Sequence, residues 1–178
     1  MAFVNQSSAA NFVPQKIKVL KVLCQECFQE MGTTPLAITL PTVITPADLA
    51  LLEITVTPGT PTVTNFTVLT NKVVNTIAVP LTITVVLLGV TLATITLPGV
   101  GALVTGEINC PGVVPDGTVN VQKHDLEVLQ PITPVIVSLD ATGLILNLAI
   151  TVIVEGCAVV SKEEILKVNA ASLFCSCS

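Results

Sequence analysis

Residues 81–97 read LTITVVLLGVTLATITL, an uncharged run between Pro80 and Pro98. A run of about 17 residues is at the short limit for a helix that spans a membrane. β-branched side chains dominate this one, and threonine recurs through it, which favours extended strands on a pleated, half-buried surface. We therefore interpret the run as two strands, 81–88 and 90–97, and predict no membrane span.

The same composition extends along the whole chain. Its 178 residues include 28 Val, 14 Ile and 23 Thr, so β-branched residues make up more than a third of the total. Short apolar runs separated by Pro, Gly, Asn and Asp indicate about twelve strands between residues 15 and 168. Turn signals such as PDG at 115–117 and DATG at 140–143 support the breaks. The sequence therefore predicts an all-β fold, an antiparallel β-sandwich.

Three segments follow from the composition. Residues 1–13 are polar, small and without periodicity, so we expect a flexible N-terminal arm. Residues 14–170 form the predicted sandwich domain, and residues 171–178 form a cysteine-bearing C-terminal tail. The arm has neither a basic segment nor an apolar segment, so we expect no secretory signal peptide.

Only two short stretches have helical signals. Residues 45–53 begin with Thr45 and Pro46, an acceptable N-cap followed by proline at the first helical position. Residues 161–168 begin with Ser161, and Glu164 lies three residues on, which is the pattern of a capping box. We expect one or two helical turns at each place, joining strands.

The charged and aromatic residues exclude several classes of partner. The chain has a formal net charge of −5, all seven of its basic residues are Lys, and Trp and Tyr are absent. Nucleic-acid binding requires clustered cations for the phosphates and aromatic faces for the bases. An anionic membrane surface would repel this chain. We expect neither nucleic acid nor membrane among its partners.

The residues that could carry catalysis are few and scattered. The one histidine, His124, stands beside Asp125 on a predicted strand, where neighbours in sequence point to opposite faces and do not form a dyad. The Glu residues lie near turns and strand ends, where solvation explains them. Phosphate loops, nucleophile elbows and histidine metal motifs are absent from the sequence. We predict that the chain is not an enzyme and has no cofactor.

Six cysteines are the most distinctive polar feature. Cys24 and Cys27 form a C-x-x-C motif, but on an extended strand positions three apart face opposite sides, so we do not expect a redox pair. A zinc site is one alternative, with four thiolates from Cys24, Cys27, Cys175 and Cys177. This would leave Cys110 and Cys157 as an internal disulfide or as buried thiols.

We favour a different use of the cysteines, as disulfides. Cys175 and Cys177 lie on the tail, which reaches a neighbouring subunit more easily than its own domain. We predict that they link copies of the chain covalently, with Cys24 or Cys27 and Cys110 as acceptors. Cys157 completes the set of cross-link candidates.

The predicted strand edges also favour assembly. Soluble monomers protect exposed edge strands with Lys, Pro or bulges. Most of the seven Lys residues lie near the ends of the chain, so the runs between 73 and 106 are poorly protected. We expect strand addition between copies, giving a homo-oligomer that is a linear or helical polymer.

The short N-terminal arm, the strands rich in Val and Thr, the few charges and the several cysteines resemble the endospore appendage (Ena-type) fibre subunits of spore-forming Firmicutes. The stretch NKVVNTIAVPLTITV at 71–85 is also similar to strands in the SPOCS-type domains of clostridial spore-coat proteins. The likeness covers most of the chain in layout. The chain departs from the appendage pattern in one respect, because residues 1–23 contain no cysteine.

The resemblance implies a jelly-roll subunit that polymerises by β-sheet augmentation, with an arm docked into another subunit and disulfides across the contacts. It also implies an extracellular location, on the spore or cell surface, without a signal peptide, since such proteins become exposed when the mother cell lyses. Two other interpretations stay open. One is a β-sandwich module that binds a small ligand or carbohydrate, and the other is a viral jelly-roll structural protein.

Overall fold

Long β-strands account for most of the fold. The computed structural model describes the backbone of residues 12–171, and side chains at 16–99, 101–121 and 125–167. The strands, in chain order, are β1 (Phe12–Thr39), β2 (Leu52–Pro58), β3 (Thr62–Leu69), β4 (Lys72–Leu87), β5 (Val90–Asn109), β6 (Val119–Val128), β7 (Pro134–Leu139) and β8 (Ile145–Ala171). A 3-10 helix (Asp48–Leu51) precedes β2.

The strands form two antiparallel sheets that share one plan. In the first sheet, β8 is central, with β1 on one side and β6 and β7 one after the other on the opposite side. In the second sheet, β4 is central, with β5 on one side and β2 and β3 on the opposite side. The predicted antiparallel β-sandwich is confirmed.

The core lies between the two sheets and is built by alternation along the central strands. On β4, the odd-numbered positions from 73 to 85 are buried, and on β8 the even-numbered positions from 146 to 160 are buried. Ile77, Ile83 and Val152 are fully buried examples. Because successive side chains on a strand point to opposite faces, each central strand presents one apolar face to the other sheet.

Several strands predicted as separate are continuous. The runs 73–79 and 81–88 merge into β4 through Pro80, which lacks a backbone N–H. The strands on both sides of β4 are interrupted beside Pro80. On one side, β2 ends and β3 begins there. On the other side, the register of β5 shifts between the partners of Val79 and Leu81. Pro80 therefore costs the sheet no ladder hydrogen bond.

Of the two predicted helical segments, the first is confirmed as a single turn and the second is wrong. Of residues 45–53, only Asp48–Leu51 are helical, as one 3-10 turn. Residues 161–168 belong to β8, where they pair with the start of β1. A capping box is a local preference worth about 1 kcal/mol, and the long-range ladder with β1 overrides it.

The prediction that the runs between residues 73 and 106 are poorly protected edges is wrong for β4. β4 is paired on both sides and offers no edge, although residues 73–79 and 81–88 were expected to be poorly protected. β5 is at the border of its sheet, but part of its outer edge faces β1. The first sheet is bordered by β1 on one side and by β6 and β7 on the other. The second sheet is bordered by β5 on one side and by β2 and β3 on the other.

β1 lies against β5 and closes one side of the sandwich. The carboxylate of Glu26 accepts a hydrogen bond from the backbone N–H of Asn109 at 2.7 Å. Glu30 accepts one from the N–H of Glu107 at 3.4 Å. A Cβ added to Gly32 would lie 2.3 Å from the carbonyl oxygen of Leu103, so only glycine allows this approach. The two glutamates thus satisfy part of the free edge of β5.

The core contains one polar side chain without a partner. Asn75 on β4 is fully buried, and neither polar atom of its amide has a hydrogen-bond partner in the described part of the chain. Leaving such a group unsatisfied costs about 1–3 kcal/mol. We expect Asn75→Val to raise the free energy of unfolding by about this amount in denaturant titrations. Thr76→Val, on the opposite face of the same strand, should change it by less than about 0.5 kcal/mol. A loss of stability in Asn75→Val would contradict this account.

Asp140 organises the turn between β7 and β8. Its carboxylate accepts hydrogen bonds from the Thr142 hydroxyl and from the backbone N–H groups of Leu144 at 3.0 Å and Ile145 at 2.8 Å. The Thr142 hydroxyl, followed by the Ile145 N–H, lowers the pKa of Asp140 from 3.8 to about 2. A carboxylate with a lowered pKa stabilises the folded state above its unfolded pKa and loses this effect as the pH falls.

This gives a pH-dependent prediction. The melting temperature of Asp140→Asn should lie below that of the wild type at pH 7, and the gap should close between pH 3.8 and about 2. Thermal unfolding followed by circular dichroism at several pH values measures the gap. All other carboxylates are the same in the wild type and the variant, so their effects on the melting temperature cancel in the difference between the two proteins. A gap that stays constant down to pH 2 would refute the assigned role of the ionised carboxylate.

Candidate functional site

The cysteines of the described chain form two disulfides within it. Cys24 on β1 is bonded to Cys110, just after β5, with Cα atoms 5.5 Å apart. Cys27 on β1 is bonded to Cys157 on β8, with Cα atoms 3.9 Å apart. A Cys110–Cys157 disulfide, one of the alternatives from the sequence, is therefore wrong. Cys175 and Cys177 lie outside the described residues.

The two disulfides have different positions in the sandwich. Cys24–Cys110 joins the two sheets, with Cys110 fully buried and Cys24 packed against the core. Cys27 and Cys157 are direct partners on adjacent strands of the first sheet, on its outer face. Cys24 and Cys27 lie three positions apart in a continuous part of the ladder, so their side chains point to opposite faces of β1 and bond to different partners.

The zinc alternative loses support in this arrangement. It requires Cys24 and Cys27 as thiolates, and both are disulfide-bonded. Within the described residues, no group of three or more His, Cys, Asp or Glu side chains could hold a metal ion. His124 is the ladder partner of Cys157 on β6. Asp125 follows it with a φ of 56°, in an irregular part of the strand between His124 and Glu127.

A two-stranded ribbon extends from the first sheet. We define the ribbon as residues 12–22 of β1 paired with residues 161–171 of β8. The pairing of β6 with β8 reaches only to Lys162, so from Glu163 onward no strand among residues 12–171 lies on the second side of β8. Within the described chain, β1 pairs with no strand other than β8. At about 3.4 Å per residue the ribbon is roughly 35 Å long.

The ribbon exposes large apolar side chains on both of its faces. Ile17 and Leu166 are direct partners on one face, each 44% exposed. Leu20 at 53% and Ile165 at 64% are near each other on the opposite face, and Val22 at 57% shares that face. An isolated two-stranded ribbon is at best marginally stable in water, so this one lacks the cover that such side chains need.

Two ion pairs cross the ribbon. Lys18 contacts Glu163 at 2.5 Å, and Lys21 contacts Glu164 at 3.8 Å. Exposed pairs of this kind contribute only about 0–1 kcal/mol. The same register places Lys16 opposite Lys167 and Lys21 opposite Lys162, and like charges directly opposite each other are unfavourable. Charge pairing therefore contributes little to the stability of the ribbon.

Sequence reasoning missed the ribbon, although a signal for it exists. Lys16, Lys18 and Lys21 in KIKVLKVL carry the charge opposite to that of Glu163 and Glu164 in SKEEILKV. The signal is partial, because SKEEILKV also contains Lys162 and Lys167, but Lys18 with Glu163 and Lys21 with Glu164 do form ion pairs between the two runs. The local capping signal at Ser161 concealed it.

The described chain contains no helix long and apolar enough to cross a membrane. Residues 81–87 lie in β4 and residues 90–97 in β5. No protein-family model, curated protein or solved structure matches the chain.

Proposed function

We propose that this chain is a structural protein, a subunit that assembles with copies of itself into an extracellular filament on a spore or cell surface. Copies add to one another by β-strand pairing, and disulfides stabilise the polymer. The observation that carries the proposal is the ribbon, which has apolar side chains exposed on both faces and two edges that no other described strand pairs with, on β8 from Glu163 onward. The resemblance to endospore appendage subunits is in accord with it.

The ribbon favours a second copy of the chain over an unrelated partner. The ribbon contains five Lys and two Glu, a net charge of +3, in a chain whose net charge is −5, so the remainder of a second copy offers a surface of opposite charge. A free strand edge is a template for another strand of matching length and pattern, which a copy supplies. Strand addition at either edge would complete a sheet of three or more strands.

The energies indicate what holds copies together. Covering a side chain that is already half-buried contributes about 1 kcal/mol. Two ribbons with five such side chains each would gain roughly 10 kcal/mol, against an association cost of about 4–15 kcal/mol. Apolar contact alone gives weak association. Backbone hydrogen bonds along the ribbon edge and covalent links are therefore needed for a durable polymer.

The disulfides support an extracellular location. Two of them are formed within the described chain, and such bonds persist in oxidising surroundings. In a polymer they would also resist denaturation by restricting the unfolded chain. Cys175 and Cys177 are the cysteines that could make further links between copies.

Sedimentation velocity and negative-stain microscopy of the oxidised protein test the proposal. We expect the sedimentation coefficient to rise with concentration and the images to show filaments. Closed shells would support the viral jelly-roll alternative. Separate monomers at millimolar concentration, oxidised and without detergent, would contradict self-assembly and favour a ligand-binding module.

A further inference from the structure

The Cys27–Cys157 disulfide is accessible from solvent. Cys27 is exposed and Cys157 half-buried on the outer face of the first sheet. Beside the bond is an open depression of about 260 Å³, lined by Cys27, Phe28, Asp125, Glu155, Gly156 and Cys157. In the other disulfide, Cys110 has no exposed surface, and Cys24 is half-buried and packed against the core. Thiol–disulfide exchange requires access of a thiolate to one of the two sulfurs, so the two bonds differ in their reactivity.

Opening the Cys27–Cys157 bond leaves the fold in place. The two cysteines are direct partners in a ladder between β1 and β8 that runs from Phe12 and Ala171 to Thr39 and Ile145. Backbone hydrogen bonds on both sides of the bond keep these strands together. Cys24–Cys110, in contrast, joins two different sheets and is packed against the core.

The charges at the depression select the incoming thiol. Asp125 and Glu155 line it, and Glu127 is the ladder partner of Glu155 on β6. The depression is thus bordered by carboxylates, which repel a thiolate carried by an anionic molecule. A thiolate on a cationic molecule is attracted, and one on a neutral molecule is intermediate.

We propose that Cys27–Cys157 is an exchange site for thiolates carried by neutral or cationic small molecules or by uncharged protein segments. The incoming sulfur bonds to Cys27 Sγ, the more exposed of the two. The Cys27–Cys157 bond breaks, and its electron pair leaves on Cys157 Sγ as a thiolate. One disulfide is replaced by another, so the step consumes no oxidant or reductant.

Two sources of thiol fit this site. One is a small neutral or cationic thiol, and the other is Cys175 or Cys177 of a second copy. Residues 168–178 carry no charged side chain, so the carboxylates do not repel a thiol within this stretch. The exchange chemistry belongs to the single chain and holds whether or not copies assemble. Its failure and that of the proposed function are therefore distinguishable.

The test compares three thiols of similar size with dilute protein at pH 8, where an ordinary histidine is neutral. Cysteamine is cationic, mercaptoethanol neutral and mercaptoethanesulfonate anionic. Each rate is divided by the rate of the same thiol with hydroxyethyl disulfide, which removes intrinsic differences in nucleophilicity. Acid quenching followed by alkylation and peptide mapping locates the adduct and the freed thiol.

We expect the adduct on Cys27 and the free thiol on Cys157. The normalised rate for cysteamine should exceed that for mercaptoethanesulfonate by about tenfold at low ionic strength, and the ratio should shrink in concentrated salt. Cys24–Cys110 should react on the order of a hundredfold more slowly, because attack there requires local opening of the sandwich.

Matched variants test the role of charge. Asp125→Asn, Glu127→Gln and Glu155→Gln in one triple variant should abolish the difference among the three thiols and leave the mercaptoethanol rate unchanged. Asparagine tolerates the positive φ of position 125. Glu53→Gln, on β2 of the second sheet, removes one carboxylate elsewhere and should leave the difference intact. Charge selectivity that survives the triple variant, or exchange at Cys24–Cys110 first, would overturn the proposal.

The source of thiol is identified in a second arm at higher concentration. A disulfide between Cys27 and Cys175 or Cys177 of another copy, lost in Cys175→Ser/Cys177→Ser, would identify the protein as a donor. Cysteamine adducts without such cross-links would identify small thiols as the donors. Both results support the site, and the absence of any adduct on Cys27 in both arms contradicts it.

Discussion

Replacing Leu20 and Ile165 with lysine is expected to prevent assembly and leave a folded monomer. These two side chains are 53% and 64% exposed on the same face of the ribbon. Their substitution removes apolar area and adds two like charges where copies would meet, and an unpaired charge is costly to bury. The concentration required for assembly should rise by at least about a hundredfold, equivalent to roughly 2.7 kcal/mol. Sedimentation velocity measures this concentration.

The control uses the same change at a different exposed site. Val135 and Val137 on β7 are 59% and 63% exposed, on the sandwich away from the ribbon. Val135→Lys/Val137→Lys adds the same charge to a comparable apolar surface. We expect it to assemble like the wild type. Equal loss of assembly in both double variants would indicate a general effect of net charge and not a ribbon interface.

The second large effect is expected from removing the disulfide between the sheets. In Cys24→Ala/Cys110→Ala, we expect the free energy of unfolding to fall by about 4–5 kcal/mol. Of this, about 3–4 kcal/mol comes from the unfolded chain, which gains freedom when a long loop is no longer closed. The remaining 1 kcal/mol or so comes from the cavity left at Cys110, which is fully buried. For a domain of this size the melting temperature should drop by about 10–20 °C.

Cys27→Ala/Cys157→Ala provides the comparison. This bond also closes a long loop, so a loss of about 3–4 kcal/mol is expected from the unfolded chain. Its sulfurs are on the outer face, so no core cavity results. We therefore expect this variant to melt above the Cys24→Ala/Cys110→Ala variant. The reverse order in calorimetry would contradict the structural role assigned to Cys24–Cys110.

The sequence predicts the fold class well because its signal is distributed over many residues. The abundance of Val, Ile and Thr and the regular turn signals all favour strands, and alternation along β8 indicates which face is buried. The boundaries were less predictable. Pro80 and Pro98 look like breaks, and whether a proline ends a strand depends on how its neighbours in the sheet are arranged at that level.

The disulfide partners and the ribbon could not be predicted from local patterns. Cys24 and Cys27 are three residues apart, and their partners lie 86 and 130 residues away. Spacing along the chain contains no information on such contacts. The ribbon joins the two ends of the described chain, and its second strand carries a local helix signal at Ser161 that only the pairing with β1 overrides.

Hydrogen–deuterium exchange of assembled and dispersed protein tests the central claim most directly. If copies add strands to the ribbon, backbone amides in residues 12–22 and 163–171 become protected on assembly, while those of β4, paired on both sides already, change little. Assemblies in which the ribbon amides exchange as fast as in the monomer, with protection elsewhere, would show that copies do not meet at the ribbon.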